Sequence, residues 1–485
     1  MSKSHKVKVA IDLTPLRAGG ENGGAKTLVV TLLQEFSRCW AEDFDYLLIA
    51  ETWNYEELLT FEGPNITCLL QSEIYRPIDS AAYLQESTLS DPLANKTHLT
   101  SSTFKGRLKQ KVKSIAKQGI KAAISIAQPW LQKDDPLIQR LKSSVKRRLL
   151  QLPAGAQLLP TPPEDPQQIS PQPLTSLPIL RGRYGIDLLF CPFSSPHLAE
   201  EGLPLVAIAY DLQHLDLPFF FASEERLHRT QFLRNLVDRA DQIICISDFT
   251  KQSFIQHLGA EESQLISVPI CIHERLKARP ESEVIDTLSK LGLLKNQYLY
   301  FPANFWPHKN HRMLLAAYSI YRQQHPETAL DLVFTGALEG PQTELREVAA
   351  YLGCEDKVHF LGFLSEEELV ALWQGCKGLV FPSLYEGFGI PVLEAMWFDR
   401  PVACSTVGSL PEVGDNAVIY FDPRKPEAIA QAITQIAHDE TLTHQLRERA
   451  REHIQSFSQE AMAKQYLTIF KNVLTAVAAS PVTIN

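Results

Sequence analysis

The segment PSLYEGFGIPVLEA, residues 382–395, sets two glutamates, Glu386 and Glu394, eight positions apart around a glycine-bracketed turn. The run before it, GLVFPS, reads as a strand, EGFG as a turn, and IPVLEAMWF as a helix with Pro391 in its first turn, where proline is favoured. Such a helix start offers free N–H groups and the positive end of the helix dipole, which attract phosphate. Two acids at that place need a different reason. Carboxylates so placed can accept hydrogen bonds from vicinal hydroxyls, as on ribose or a hexose. The plainer alternative is that Glu394 steadies a helix terminus and Glu386 is a solvated loop acid. A second segment, FPANFWPHKNH at 301–311, ends a strand at Ala303, turns rigidly through Pro307 and presents Lys309 where a helix begins. A lysine beside a helix start adds a full positive charge to the backbone donors and can hold a diphosphate. Taken singly, Lys309 reads as a surface lysine and His308 as a turn residue.

A glycine loop near the N-terminus, AGGENGGAKT, invites comparison with a phosphate-binding P-loop. Gly19 and Gly24 have the right interval, but Ala25 stands where the lysine should be. The register is off by one residue, which argues against a nucleotide hydrolase.

The elements that must position these residues follow one grammar. Short Val/Ile/Leu-rich runs, each followed by a turn and an amphipathic helical pattern, announce parallel sheets covered by helices. KVKVAIDL, DYLLIA, DLLFCP, PLVAIAYD and QIICIS are the strands of a first unit, and Leu28, Leu32, Phe36 and Trp40 mark one helical face. YLYFPA, LDLVFTG, KVHFLGF, GLVFPS, RPVACS and AVIYFD are those of a second. The fold class is therefore α/β with two doubly wound, Rossmann-like domains. The expected division is 1–280, 281–460, and a C-terminal helix and tail over 461–485 returning to the first domain. Ligands of such sheets bind at the carboxyl ends of the strands.

At 485 residues the chain is too long for one ordinary core. With 45% hydrophobic and 21% charged residues it has the composition of a soluble globular protein. Eight scattered cysteines lack metal-ligand spacing and read as buried small side chains in a reducing compartment. The apolar run at the N-terminus is too short for a signal peptide, and no run approaches the roughly 18 apolar residues of a membrane span. A cytosolic location is the expectation. Between about residues 72 and 180 the alternation breaks, first for a basic helical stripe and then for a proline-rich stretch. Residues 104–148 carry a local charge of +11, leaving −20 for the rest of the chain. We expect this insert either to lie on an anionic membrane, making the protein peripheral on its inner face, or to be a solvated helix packed on the first domain. The net negative remainder disfavours nucleic acid.

Together PHKNH, HFLGFLSEEELVALW, PSLYEGFGIPVLEAM and RPVACSTVGSLPEV, between Tyr298 and about Pro426, resemble the retaining glycosyltransferases of family 4, the group 1 glycosyl transferases of GT-B fold. The resemblance continues more loosely through YDLQHLDLPFFF and ADQIICISDFT. It implies two domains facing across a cleft, the first binding the acceptor and the second the nucleotide sugar, and transfer of a hexose from a nucleotide diphosphate sugar to a glycan or lipid-linked acceptor. Glu394 would then bind ribose hydroxyls and Glu386 the donor sugar. The amides of Gly387, Phe388 and Gly389, with Ile390 behind them, would approach sugar and phosphate, and Lys309 would neutralise the diphosphate. The loop around Gly362, with Asn304, would lie near the base, and Gly24 would face the cleft. Asp211 and His214 are the first-domain candidates for catalysis. No metal and no cofactor are expected beyond the nucleotide sugar, because Lys309 and the helix start supply the positive charge. The PHKN-type segment tilts the donor toward GDP-mannose over UDP-sugars. The chain departs from the pattern in two places. Tyr210 precedes Asp211 where relatives carry histidine, making His214 only a substitute candidate, and MWFDRPV is bulkier than usual. Two other readings remain open: a catalytically silent relative that binds a sugar nucleotide or a partner protein, and a same-fold epimerase or phosphorylase.

Overall fold

A computed structural model describes residues 6–17, 23–39, 42–74, 179–337 and 341–479. The basic run 104–148, most of the proline-rich stretch, Gly19 and Trp40 lie outside these residues. Among the described residues the chain builds two all-parallel sheets. The first has seven strands in the order β3-β2-β1-β4-β5-β6-β7, where β1 is Val7–Asp12, β2 Phe44–Ala50, β3 Ile66–Leu70, β4 Leu188–Cys191, β5 Leu205–Ala209, β6 Gln242–Cys245 and β7 Leu265–Ser267. The second has six in the order β10-β9-β8-β11-β12-β13: β8 Tyr298–Pro302, β9 Asp331–Thr335, β10 Val358–Phe360, β11 Gly378–Phe381, β12 Val402–Ser405 and β13 Ile419–Phe421. Helices cover both faces, so central strands are apolar throughout rather than alternating. Every residue of β4, β5, β11 and β12 is buried.

In both sheets the strand order reverses beside the first strand, between β1 and β4 and between β8 and β11. At such a switch point two neighbouring loops leave in opposite directions and open a crevice at the carboxyl edge. The helix Gly23–Cys39 buries Leu28, Leu32 and Phe36 against the first sheet. The helix Gln459–Ala479 also packs there, its Phe470 ring 5.1 Å from Phe190 and 6.2 Å from Phe36. Among the described residues seven cysteines are buried and unpaired. Among the described residues no helix is long and apolar enough to cross a membrane.

The carboxyl edges of the two sheets meet. Tyr385, beyond β11, accepts a hydrogen bond from the Leu212 amide at 3.1 Å. Ser247 caps the helix Asp248–Leu258 of the first domain and donates to the Gly387 carbonyl at 2.7 Å. Glu412 of the second domain accepts from the Asp248 and Phe249 amides at 2.8 and 2.6 Å, a carboxylate seated on the N-terminus of a first-domain helix.

Candidate functional site

The site gathers at the β8/β11 switch point. After β8 the chain turns through the short 3-10 segment Pro307–Lys309 and reverses at Asn310, whose φ of 65° is left-handed. The Asn310 side-chain amide donates to the Pro382 carbonyl at 3.1 Å and the Pro423 carbonyl at 2.9 Å, and the Leu384 amide donates to the His308 carbonyl at 2.7 Å. The loops after β8 and β11 are thereby locked together. The consequence is an ion pair: Lys309 Nζ lies 2.7 Å from Glu386 Oε1, the two side chains 19% and 10% exposed. Neither is a solvated surface charge. His308 beside them is held neutral, its pKa lowered to about 4 by burial and by the Lys309 charge.

The EGFG turn is fixed from behind. Ser409 donates its amide and approaches with its hydroxyl the Glu386 carbonyl at 3.2 and 3.1 Å, and a Cβ at Gly408 would stand 2.5 Å from that same carbonyl oxygen. Gly387 is just as confined, since a Cβ there would meet the Tyr210 carbonyl at 2.4 Å. Gly389 caps the helix Ile390–Trp397 at φ 106°, a conformation side chains rarely adopt. Phe388 is buried in the core beneath the turn. Ile390 reaches the first domain, where a Cβ on Gly24 would come within 2.6 Å of its Cδ1.

Glu394 is buried one turn into that helix, and its partner comes from far away in sequence. Arg275, on the stretch linking the two sheets, donates to Glu394 Oε1 at 2.7 Å and to the Ile272 carbonyl at 2.7 Å. The helix-terminus explanation of Glu394 does not fit: the first turn of the helix holds no acid. Sequence reasoning missed Arg275, because it lies 119 positions from the glutamate it meets.

Asn304 and Gly362 are each tied to the loop after β9, on a neighbouring part of the same edge. Asn304 accepts from the Ala337 amide at 3.0 Å, and the Gly362 carbonyl, in a residue of φ 79°, accepts from the Gly336 amide at 3.0 Å. Asp211 is half-buried on the first-domain side, and its pKa is raised by burial and by Glu386 and lowered by Arg229 and Lys309. It therefore shares the field of the Lys309–Glu386 pair. His214 does not join them. Its ring is 1% exposed, turned to the Thr230 hydroxyl at 3.2 Å and to the Phe221 ring, and its pKa falls to about 4 through burial and the charges of Arg229 and His257.

Residues 287–453 match the family described as glycosyl transferases group 1. The O-antigen chain mannosyltransferase B of Escherichia coli is 27% identical over 283 residues, which span 58% of this chain and 72% of that protein. The serotype-specific mannosyltransferase WbdA of Escherichia coli is 30% identical over 228 residues, 46% of this chain but only 27% of that longer protein. Among solved structures, Anabaena Alr3699/HepE in complex with UDP and glucose superposes with a TM-score of 0.60 over 96% of this chain and all of its own, at 16% identity. That likeness is one of fold.

Proposed function

We propose that the chain is a group 1 glycosyl transferase, the family whose description residues 287–453 match, and that it moves a hexose from a nucleotide diphosphate sugar, GDP-mannose before UDP-sugars, to a glycan or lipid-linked acceptor with retention of configuration. The observation that carries this reading is the buried Lys309–Glu386 pair at the switch point. As the sugar departs, the bond from its anomeric carbon to the diphosphate oxygen breaks and negative charge grows on the leaving group. Preorganised positive charge at that place is usually the largest catalytic contribution. Lys309 and the N–H groups of the turn into the helix Ile390–Trp397 meet that need, and no divalent ion is required in this reading. Glu386, freed of part of its bond to Lys309, accepts from hydroxyls of the donor hexose. Glu394, held by Arg275, accepts from the ribose. Asn304 and the Gly362 loop take the base side, and Gly24, Gly387, Phe388, Gly389 and Ile390 form the close-packed floor. Asp211 faces the pair from the first domain. The mannosyltransferases among the relatives support the choice of mannose. The basic run 104–148 is assigned to an anionic membrane surface, where a lipid-linked acceptor would be found on the cytosolic side.

Thermal-shift titration of the purified protein with UDP-, GDP- and ADP-sugars tests the donor. The largest stabilisation is expected from GDP-mannose, and protein that no nucleotide sugar stabilises would overturn the reading. Lys309→Ala should then lower turnover by about 10² to 10³ when assayed below the variant's unfolding midpoint, a midpoint that itself falls because Glu386 is left buried without its partner. Turnover within twofold of wild type removes Lys309 from the chemistry.

A further inference from the structure

The first sheet has a switch point of its own, between β1 and β4, and the donor site leaves it unused. Asp12 closes β1 there and is 1% exposed. Its Oδ1 accepts from the Thr14 amide at 3.1 Å and the Thr14 hydroxyl at 2.7 Å. Its Oδ2 receives no well-aligned hydrogen bond among the described residues, and the group it faces is His197, whose Nδ1 lies 3.1 Å away. His197 comes from the loop after β4, and its side chain is 40% exposed. Ser195 Oγ is 3.0 Å from Nδ1, while Thr14 Oγ1 and Gln71 Nε2 are 3.2 and 3.4 Å from Nε2. The segments that follow β1, β3 and β4 thus converge on one imidazole. Burial raises the Asp12 pKa and the facing ring lowers it.

This cluster shares an edge with the donor site. The Tyr210 hydroxyl donates to the Pro192 carbonyl at 2.7 Å, at the start of the loop that carries His197, and the Tyr210 carbonyl is the atom that confines Gly387. The polar groups gathered around the exposed ring are two hydroxyls and a carboxamide, each able to donate and accept. That is the chemistry of a neutral polyol. A phosphate would meet the buried Asp12 carboxylate and be repelled.

We propose that Asp12 and His197 form the acceptor site, His197 exchanging a hydrogen bond with a hydroxyl of an acceptor sugar and Asp12 acting as a positioning residue that fixes the ring. The proposal rests on the transferase reading above and adds to it the residues that choose the acceptor. Its test uses the full-length protein, the nucleotide sugar that stabilises it most, and methyl α-D-mannopyranoside as the acceptor probe. His197→Ala should raise KM for the glycoside by about tenfold or more, the scale of one lost hydrogen bond to an ionised or polarised group, while KM for the nucleotide sugar moves less than twofold. Asp12→Asn should raise the glycoside KM by a smaller factor, and His197→Gln should restore part of the loss. Three results overturn the proposal: an unchanged glycoside KM in His197→Ala, an equal rise in both KM values, or wild-type protein that does not saturate with the glycoside. Wild-type protein that neither binds nor turns over any nucleotide sugar overturns the transferase reading and the acceptor site with it. Intact donor turnover with an unmoved glycoside KM overturns the acceptor site alone.

Discussion

Arg275 and Glu394 bring opposite charges into a place where neither is well hydrated, the side chains 25% and 6% exposed. Removing one partner of such a pair leaves the other buried and uncompensated, at a cost of about 3 to 5 kcal/mol, whereas removing both leaves no orphaned charge. Arg275→Ala should therefore lower the unfolding midpoint more than the double variant Arg275→Ala/Glu394→Ala does, as read by urea denaturation. If Glu394 also binds ribose, Glu394→Ala weakens nucleotide-sugar binding by about 1.5 to 3 kcal/mol, roughly tenfold to a hundredfold. Titration calorimetry on the folded variant with unchanged affinity would remove the ribose role. The residues legible in the sequence here were those whose neighbours in sequence are also neighbours in space. Glu386, Gly387, Gly389 and Glu394 lie within nine positions of one another, and one turn geometry relates them. Arg275, Asp12 and His197 were not legible, because Asp12 Oδ2 and His197 Nδ1 meet across 185 positions of intervening chain. His214 shows the complementary effect: it follows Asp211 by three residues but sits on the short helix Gln213–Asp216, which Asp211 precedes, and its ring turns to Thr230.

Strands and helices were readable to the extent that they are long and apolar. The six strands of the second sheet and five of the first stand where the Val/Ile/Leu-rich runs put them. β3 and β7 escaped notice, because ITCLL runs straight into a helical turn and LIS is three residues at the sheet's edge, where burial gives no strong pattern. Spatial order is a different matter. Nothing local in the sequence says that β8 lies between β9 and β11, and it is this placement that brings Lys309 to Glu386. At the scale of elements, Gly387 joins the two domains: its carbonyl takes the Ser247 hydroxyl, and the Tyr210 carbonyl occupies the space that a side chain on it would need. Gly387→Ala adds a methyl group 2.4 Å from that oxygen. Backbone on both sides must move, and such overpacking typically costs about 1 to 3 kcal/mol. One buried apolar cluster holds residues of both sheets, Phe190 and Val206 together with Tyr300 and Phe381, and the added methyl group strains the meeting of the edges rather than that cluster. Donor turnover should drop about tenfold to a hundredfold with only a small fall in melting temperature. A variant of wild-type turnover would show that the edges need not approach this closely.

Over the whole molecule, one property unites residues from both domains. His214, His273, His308 and His311 all lose proton affinity through burial, their pKa values falling from an ordinary 6.5 to about 4, 4, 4 and 3. The unfolded chain takes up protons at these positions near pH 6.5, the folded chain only near pH 4 or below, so the unfolded state binds more protons throughout the window between. Stability is therefore full above about pH 6.5 and falls as the solution is acidified toward pH 4, by up to about 1.4 kcal/mol per pH unit for each histidine. Asp12, Asp211 and Glu412, whose pKa values are raised chiefly by burial, act in the opposite direction, but only as pH nears the carboxylate range. His273 offers the cleanest separation of the effect. It is 1% exposed, neither ring nitrogen finds a hydrogen-bond partner among the described residues, and its ring packs edge-on against Trp397 at 5.2 Å. Phenylalanine fills the same space and leaves no donor or acceptor unmatched. His273→Phe should accordingly melt at or above the wild-type temperature at pH 7.5 and lose less on acidification to pH 5, as followed by circular dichroism in buffers of constant ionic strength. Parallel declines in the two proteins, or a wild-type midpoint that stays level down to pH 5, would mean that the buried histidines take up their protons without unfolding the chain.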